Sequence, residues 1–153
     1  MKNLLYKNIA GQEVAHIEQT SILEIAKEVG TPFYAYSKQN ILANFDDFQK
    51  NFADIDHKIC YAIKANSNIN LVKLLAQRGS GIDAVSAGEV YRAIKSGVAA
   101  KDIIFAGVGK TKDEIKYALE NGVEHFSAES KAEVFALNEV AGQLGKNIKF
   151  ALR

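Results

Sequence analysis

The sequence holds one cysteine, Cys60, one proline, Pro32, and no tryptophan. A lone cysteine closes no internal disulfide, so a hydrophobic core must hold the fold, which suits a reducing cytoplasm. Pro32 stands in VGTPF, and no proline-rich linker, low-complexity tract or charge block interrupts the chain. Nineteen basic and eighteen acidic residues nearly cancel to +1. No basic run is long enough to track a phosphate backbone, so nucleic acid is not an expected partner. His16, His57 and His125 lie far apart with no cysteine or histidine at ligand spacing, and no metal is expected. The opening MKNLLYKNIAGQEVAH lacks the apolar centre of a signal peptide. Nor does any later stretch approach the ~20 apolar residues of a membrane span, so a cytoplasmic location is expected.

What is present is a chain of 153 residues, 48% hydrophobic and 24% charged, enough for one ordinary globular core. Beyond Pro32 it alternates. Short β-forming runs, ICYAI (59–63), IDAV (82–85), DIIFA (102–106), VEHFS (123–127) and IKFAL (148–152), begin 20–25 residues apart. Each gap carries a helical apolar stripe, such as Val90, Ala93 and Ile94, or Leu137, Val140, Ala141 and Leu144. Ser/Thr-x-x-Glu pairs mark helix starts at Ser21/Glu24, Ser86/Glu89, Thr111/Glu114 and Ser130/Glu133. Glycines follow the helical stretches at positions 30, 79, 97, 122 and 145. Strand, helix, strand, helix at this spacing predicts a parallel α/β fold. Right-handed crossovers then collect every strand C-terminus on one edge. Residues before Pro32 break the pattern: LLYKNIAGQEVAHI reads as two strands around an Ala-Gly corner, and SILEIAKEV as a short amphipathic helix.

Two glycine motifs fail on context. GVGKT (107–111) resembles the tail of a phosphate-binding loop, but Ile104 stands where that loop needs its first glycine. It reads better as a tight strand-to-helix turn with Thr111 as cap. GSGIDA (79–84) precedes a strand, whereas a dinucleotide fingerprint follows one.

The chemistry-bearing candidate is Lys64, where the apolar run CYAI gives way to the polar corner KANSN. Period-2 alternation puts Lys64 on a face with Cys60 and Ala62, small residues that leave room beside it. A lysine at a strand end serves either as a nucleophilic amine toward an aldehyde or as an ammonium that snorkels to water. The residues alone leave both readings open.

YAIKANSN, GSGIDAVSAGEVYRA, FAGVGKT and FALR, in this order, resemble the pyridoxal-phosphate-dependent decarboxylases of the alanine-racemase-like fold. Within that family the chain is most similar to the diaminopimelate decarboxylase branch. GVGKT favours that branch over the ornithine and arginine branches, and the lead-in SILEIAKEVGTPFYAYS is also similar. The resemblance implies a partial (β/α) TIM-like barrel of about five of eight units over residues 37–153. It is preceded by a lead-in, residues 1–36, belonging to a β domain that includes FYAY (33–36).

It further implies that Lys64 carries pyridoxal 5'-phosphate as a Schiff base, and that Asp83 and Arg153 face the cofactor. On the residues alone Asp83 also suits a turn cap and Arg153 a frayed end, and Glu89 is explained by its cap. The reaction implied is loss of CO2 from meso-diaminopimelate to give L-lysine, in a homodimer.

Family members continue past this point to a histidine stacked on the ring, a glycine-rich phosphate loop, an acidic partner for the pyridine nitrogen and a second β domain. The chain is therefore expected to be an N-terminal portion, inactive without a complementary C-terminal half. Other readings are a racemase or carrier of the same fold, and a non-catalytic α/β interaction module or remnant.

Overall fold

The computed structural model describes residues 4–153. Contacts divide the chain into two compact units, one ending at Ile55 and the other beginning at Asp56.

In the first unit, β1 (Leu4–Ile9) and β2 (Gln12–Ile17) form an antiparallel hairpin, with Leu4 opposite Ile17 and Ile9 opposite Gln12. Its corner is Ala10-Gly11, both at positive φ (51° and 87°), the backbone twist that a two-residue hairpin requires. The short β3 (Thr20–Ser21) returns along β2. Ser21 then opens α1 (Ile22–Val29) with a complete capping box. Its hydroxyl accepts from Leu23 N at 3.1 Å, and Glu24 Oε2 accepts from Ser21 N at 3.3 Å. The strands, corner and helix match the expectation for this segment, whereas Phe33–Tyr36 form no strand.

Helix α2 (Lys38–Asn51) also lies in this unit. Ser37 Oγ accepts from Asn40 N at 3.0 Å, and Glu18 Oε1 accepts from Ser37 Oγ at 2.8 Å and from Gln39 N at 2.7 Å. A carboxylate twenty-one residues upstream from Gln39 thus caps this helix.

The second unit is a parallel sheet in chain order: β4 (Cys60–Ala62), β5 (Gly81–Ala84), β6 (Ile103–Phe105), β7 (His125–Ala128) and β8 (Lys149–Leu152). Between them run α3 (Ile69–Ala76), α4 (Ala87–Lys95), α5 (Lys112–Glu120) and α6 (Lys131–Gln143). One sheet face presents Ile82, Ala84, Ile103, Phe105, Phe126 and Ala128. These pack against Val72, Val90, Ile115, Leu119 and Leu137 of the helices in one buried cluster. Phe105 and Phe126 meet at 6.0 Å between ring centroids. The opposite face carries Cys60, Ala62, Asp83, Ile104, His125 and Ser127, all half-buried.

Helices on a single face and strands in unbroken sequence order distinguish an arc of a (β/α) barrel from a doubly wound sheet, where the order reverses and helices cover both faces. The fold is thus the expected partial barrel. Gly81 shows how tightly its strands pack: an added Cβ would come within 2.7 Å of both Asp102 O and Cys60 Sγ. Among the described residues, no helix is long and apolar enough to cross a membrane.

Candidate active site

Because the strands are parallel and every crossover returns through a helix, the loops at residues 63–68, 85–86, 106–111 and 129–130 collect on one edge, beside Arg153. Lys64 sits there, but not as alternation predicts. Strand β4 ends at Ala62, and Ile63–Ala65 form one turn of 3-10 helix, so the period-2 pattern stops short of the lysine. The tighter turn lets Ile63 bury completely in the core while Lys64 is exposed.

Neighbouring groups hold this turn. The Tyr61 hydroxyl donates to Asn66 O at 3.2 Å, and Asn66 Oδ1 accepts from Asn68 N at 3.0 Å. Asn68 Oδ1 accepts from Asn70 N at 2.9 Å and so caps α3. From α4, Arg92 Nη1 donates to Ser67 O at 3.2 Å.

Asp83 lies on the adjacent strand, paired with Ala62, on the sheet face away from the helices. Its Oδ1 is buried and has no hydrogen-bond partner among the described residues. A buried carboxylate oxygen without a donor is costly, and a ligand that donates to it would remove that cost. Burial pushes the nearby Cys60 thiol up, Lys58 opposes this, and Asp83 and Asp102 reinforce it. Cys60 is therefore a neutral wall of the site and not a nucleophile.

Arg153 follows β8, at the far edge of the sheet, with β6 and β7 between it and Asp83. Its backbone N donates to Ala128 O at 2.9 Å, and Nη1 meets Glu129 Oε1 at 2.8 Å. Lys64 thus follows β4 and Asp83 lies on the adjoining β5, with Arg153 after β8 on the same edge.

The sequence reading missed what braces this edge. Glu114 completes the box with Thr111, but its Oε1 also accepts from Ala87 N, in the preceding unit, at 3.2 Å. Glu89 and Glu133 do not close reciprocal boxes. Glu89 Oε2 accepts from Val85 N at 2.7 Å, and Glu133 Oε2 from Glu129 N at 2.6 Å. The other oxygen, Glu133 Oε1, pairs with Lys110 Nζ at 2.9 Å, and these side chains are only 6% and 1% exposed respectively. Lys110 Nζ also donates to Gly107 O at 2.7 Å and to Ser127 O at 2.6 Å. GVGKT is therefore the expected turn, with Thr111 capping α5, and its lysine is a buried clamp. Three acceptors thus meet the three donors of this buried ammonium.

Burial raises the Glu114 and Glu133 carboxyls. Backbone hydrogen bonds, from Thr111 and Ala87 to Glu114 and from Glu129 and Lys110 to Glu133, together with the Lys110 charge, outweigh it and leave both below the ordinary value.

Comparison with known proteins agrees with this geometry. Residues 38–153 match the family described as pyridoxal-dependent decarboxylase, pyridoxal binding domain. The chain is 46% identical over 137 residues to a diaminopimelate decarboxylase of Aquifex aeolicus, covering 90% of this chain and 32% of that protein. Among solved structures it resembles diaminopimelate decarboxylase from M. jannaschii in co-complex with L-lysine (TM-score 0.90, 33% identity, 99% of this chain and 35% of that one). It also resembles the Helicobacter pylori enzyme complexed with L-lysine (TM-score 0.81, 37% identity, 86% and 33%). The chain spans about a third of the length of these relatives. With a parallel arc of barrel strands, a lysine turn on its C-terminal edge and a match to the pyridoxal binding domain that runs from Lys38 to Arg153, the chain belongs to the pyridoxal-dependent decarboxylase family.

Proposed function

We propose that the chain is the N-terminal portion of a cytoplasmic pyridoxal-phosphate-dependent amino-acid decarboxylase, and that its substrate is meso-diaminopimelate, released as L-lysine and CO2. One observation carries this: the exposed Lys64 turn follows β4, and the buried Asp83 oxygen, without a partner among the described residues, lies on the adjoining β5. These residues fit the cofactor. Lys64 supplies an accessible primary amine for the aldehyde, small residues Cys60 and Ala62 leave space along the strand, and Asp83 Oδ1 offers an acceptor to a protonated group. When bound, the cofactor supplies an electron sink for the carbon that loses CO2.

The chain's own residues have separate tasks. Lys64 Nζ would hold the cofactor through its amine and would carry a proton beside the reacting carbon. Asp83 orients the groups around Lys64 by accepting a hydrogen bond. Arg153, paired with Glu129, faces the cofactor from the opposite side of the edge. Residues 37–153 form the barrel part and residues 1–36 the lead-in. Phosphate anchoring, ring stacking and the partner of the pyridine nitrogen are assigned to a complementary C-terminal half, and the assembled enzyme to a homodimer.

Titration of the chain with pyridoxal phosphate, followed by absorbance, tests the lysine assignment. A saturable long-wavelength band that disappears in Lys64→Ala is expected. The same band in the variant would contradict the assignment, and no band in either would favour a non-catalytic module. Assay of CO2 release from meso-diaminopimelate tests completeness. The chain alone is expected to match free cofactor, because orienting the reactants supplies on the order of 7–11 kcal/mol of the barrier and those groups lie elsewhere. Adding the complementary segment is expected to raise turnover.

A further inference from the structure

Arg153 reaches the active edge on an exposed side chain (67%), and a long exposed side chain holds no fixed direction without a partner. Its partner is Glu129, and Glu129 is itself held. The Glu129 N–H donates to Glu133 Oε2 at 2.6 Å, the other oxygen of Glu133 lies 2.9 Å from Lys110 Nζ, and that ammonium is tied to the carbonyls of Gly107 and Ser127. The line of contacts crosses the C-terminal ends of β6, β7 and β8 in order. It is buried at Lys110 and Glu133, partly exposed at Glu129 and open to solvent at Arg153.

We infer that Lys110 and Glu133 are positioning residues that set the direction of the Arg153 guanidinium through Glu129. Glu133 is the hinge of the arrangement, since its two oxygens serve two different donors and a neutral amide cannot replace it. Glutamine has one acceptor oxygen, so either Lys110 or the Glu129 N–H would face an NH2 group and be repelled. Loss of the Glu129 contact frees the loop at residues 129–130 and, with it, the carboxylate that orients Arg153. A lysine at position 110 suits the other end, because its three donors meet two carbonyls and one carboxylate, which the planar fork of arginine does not match. The link to catalysis rests on the proposed reading of Arg153 as cofactor-facing; the positioning itself does not.

The test follows the side-chain Nε–Hε NMR signal of Arg153 in the 153-residue chain, assigned by its loss in Arg153→Lys. Glu129→Gln removes the ion pair directly and fixes where the unpaired signal falls. Glu133→Gln and Lys110→Met are expected to move the signal toward that position. Glu114→Gln breaks a comparable brace on Ala87 and is expected to leave the signal unmoved, which separates positioning from loss of stability. Should Lys110→Met lose its amide dispersion and fail to fold, the milder Glu133→Gln decides. An Arg153 signal unmoved in Glu133→Gln but moved in Glu129→Gln overturns the inference, as does a signal insensitive to Glu129→Gln. Pyridoxal phosphate titration of the same samples tests the other reading. Glu133→Gln should weaken binding several-fold while keeping the Lys64 band. If the signals move as expected and binding is unchanged, Arg153 is positioned by Lys110 and Glu133 but does not face the cofactor.

Discussion

Lys64 and Lys110 stand on the same edge of one sheet in opposite surroundings. Lys64 is exposed on a single tight turn, and Lys110 is sealed among Gly107, Ser127 and Glu133. Their substitutions should therefore fail differently. Lys64→Arg keeps the charge but offers a guanidinium that stays protonated, so cofactor attachment is expected to vanish while thermal unfolding changes little. Absorbance and calorimetry on one sample check both. Lys110→Met strands a buried carboxylate, and a loss of about 3–5 kcal/mol is expected in urea unfolding. The places of Lys64 and Asp83 at the ends of β4 and β5 were legible from the change of composition there, and their proposed roles come from the family resemblance. Lys110 was not legible. Two of its partners, Ser127 and Glu133, lie 17 and 23 residues along the chain, where no local pattern links them.

At the level of elements, the caps were read correctly in place and incompletely in purpose. The hydroxyls of Ser21, Ser86, Thr111 and Ser130 all cap their helices. Glu114 and Glu133 also reach into the preceding unit, which a Ser-x-x-Glu spacing cannot reveal. Ser86→Ala should cost roughly 0.5–2 kcal/mol, read from the urea midpoint.

The carboxylates add a pH dependence whose sign is fixed. Their folded-state pKa values lie below the ordinary 4.5 of the unfolded chain, so their stabilisation is complete above that value. It is lost as pH falls through the folded values. Melting temperatures taken from neutral pH downward should drop below about pH 4.5. The drop should be shallower in the Glu114→Gln, Glu133→Gln double variant, and an equally steep drop there would remove these two groups as its cause. The end of β4 was misplaced by the sequence for a related reason. Alternation runs through ICYAI, but burying Ile63 under a 3-10 turn satisfies the core and turns the chain toward α3. The lead-in hairpin was legible from Ala-Gly alone, whereas the Glu18 cap on α2 depends on a fold-back that no spacing rule encodes.

On the scale of the whole molecule, the five-stranded arc has two edge strands, β4 and β8. All four residues of β8 are exposed, with Leu152 at 77% and Phe150 at 46%. An open apolar edge is a template for pairing, so the isolated chain is expected to self-associate with rising concentration in sedimentation velocity. A compact monomer that unfolds cooperatively at every concentration would contradict this. The arc was legible because its period of strand and helix repeats along the chain.

The central claim is that one amine out of many receives the cofactor, and mapping that amine tests it most directly. The chain is incubated with pyridoxal phosphate at low excess, reduced with borohydride, digested, and its modified peptides identified by mass spectrometry. Label concentrated on the peptide containing Lys64, and absent from that peptide in Lys64→Arg, is the expected result. Label spread evenly over the exposed lysines, or concentrated on another residue, would contradict it.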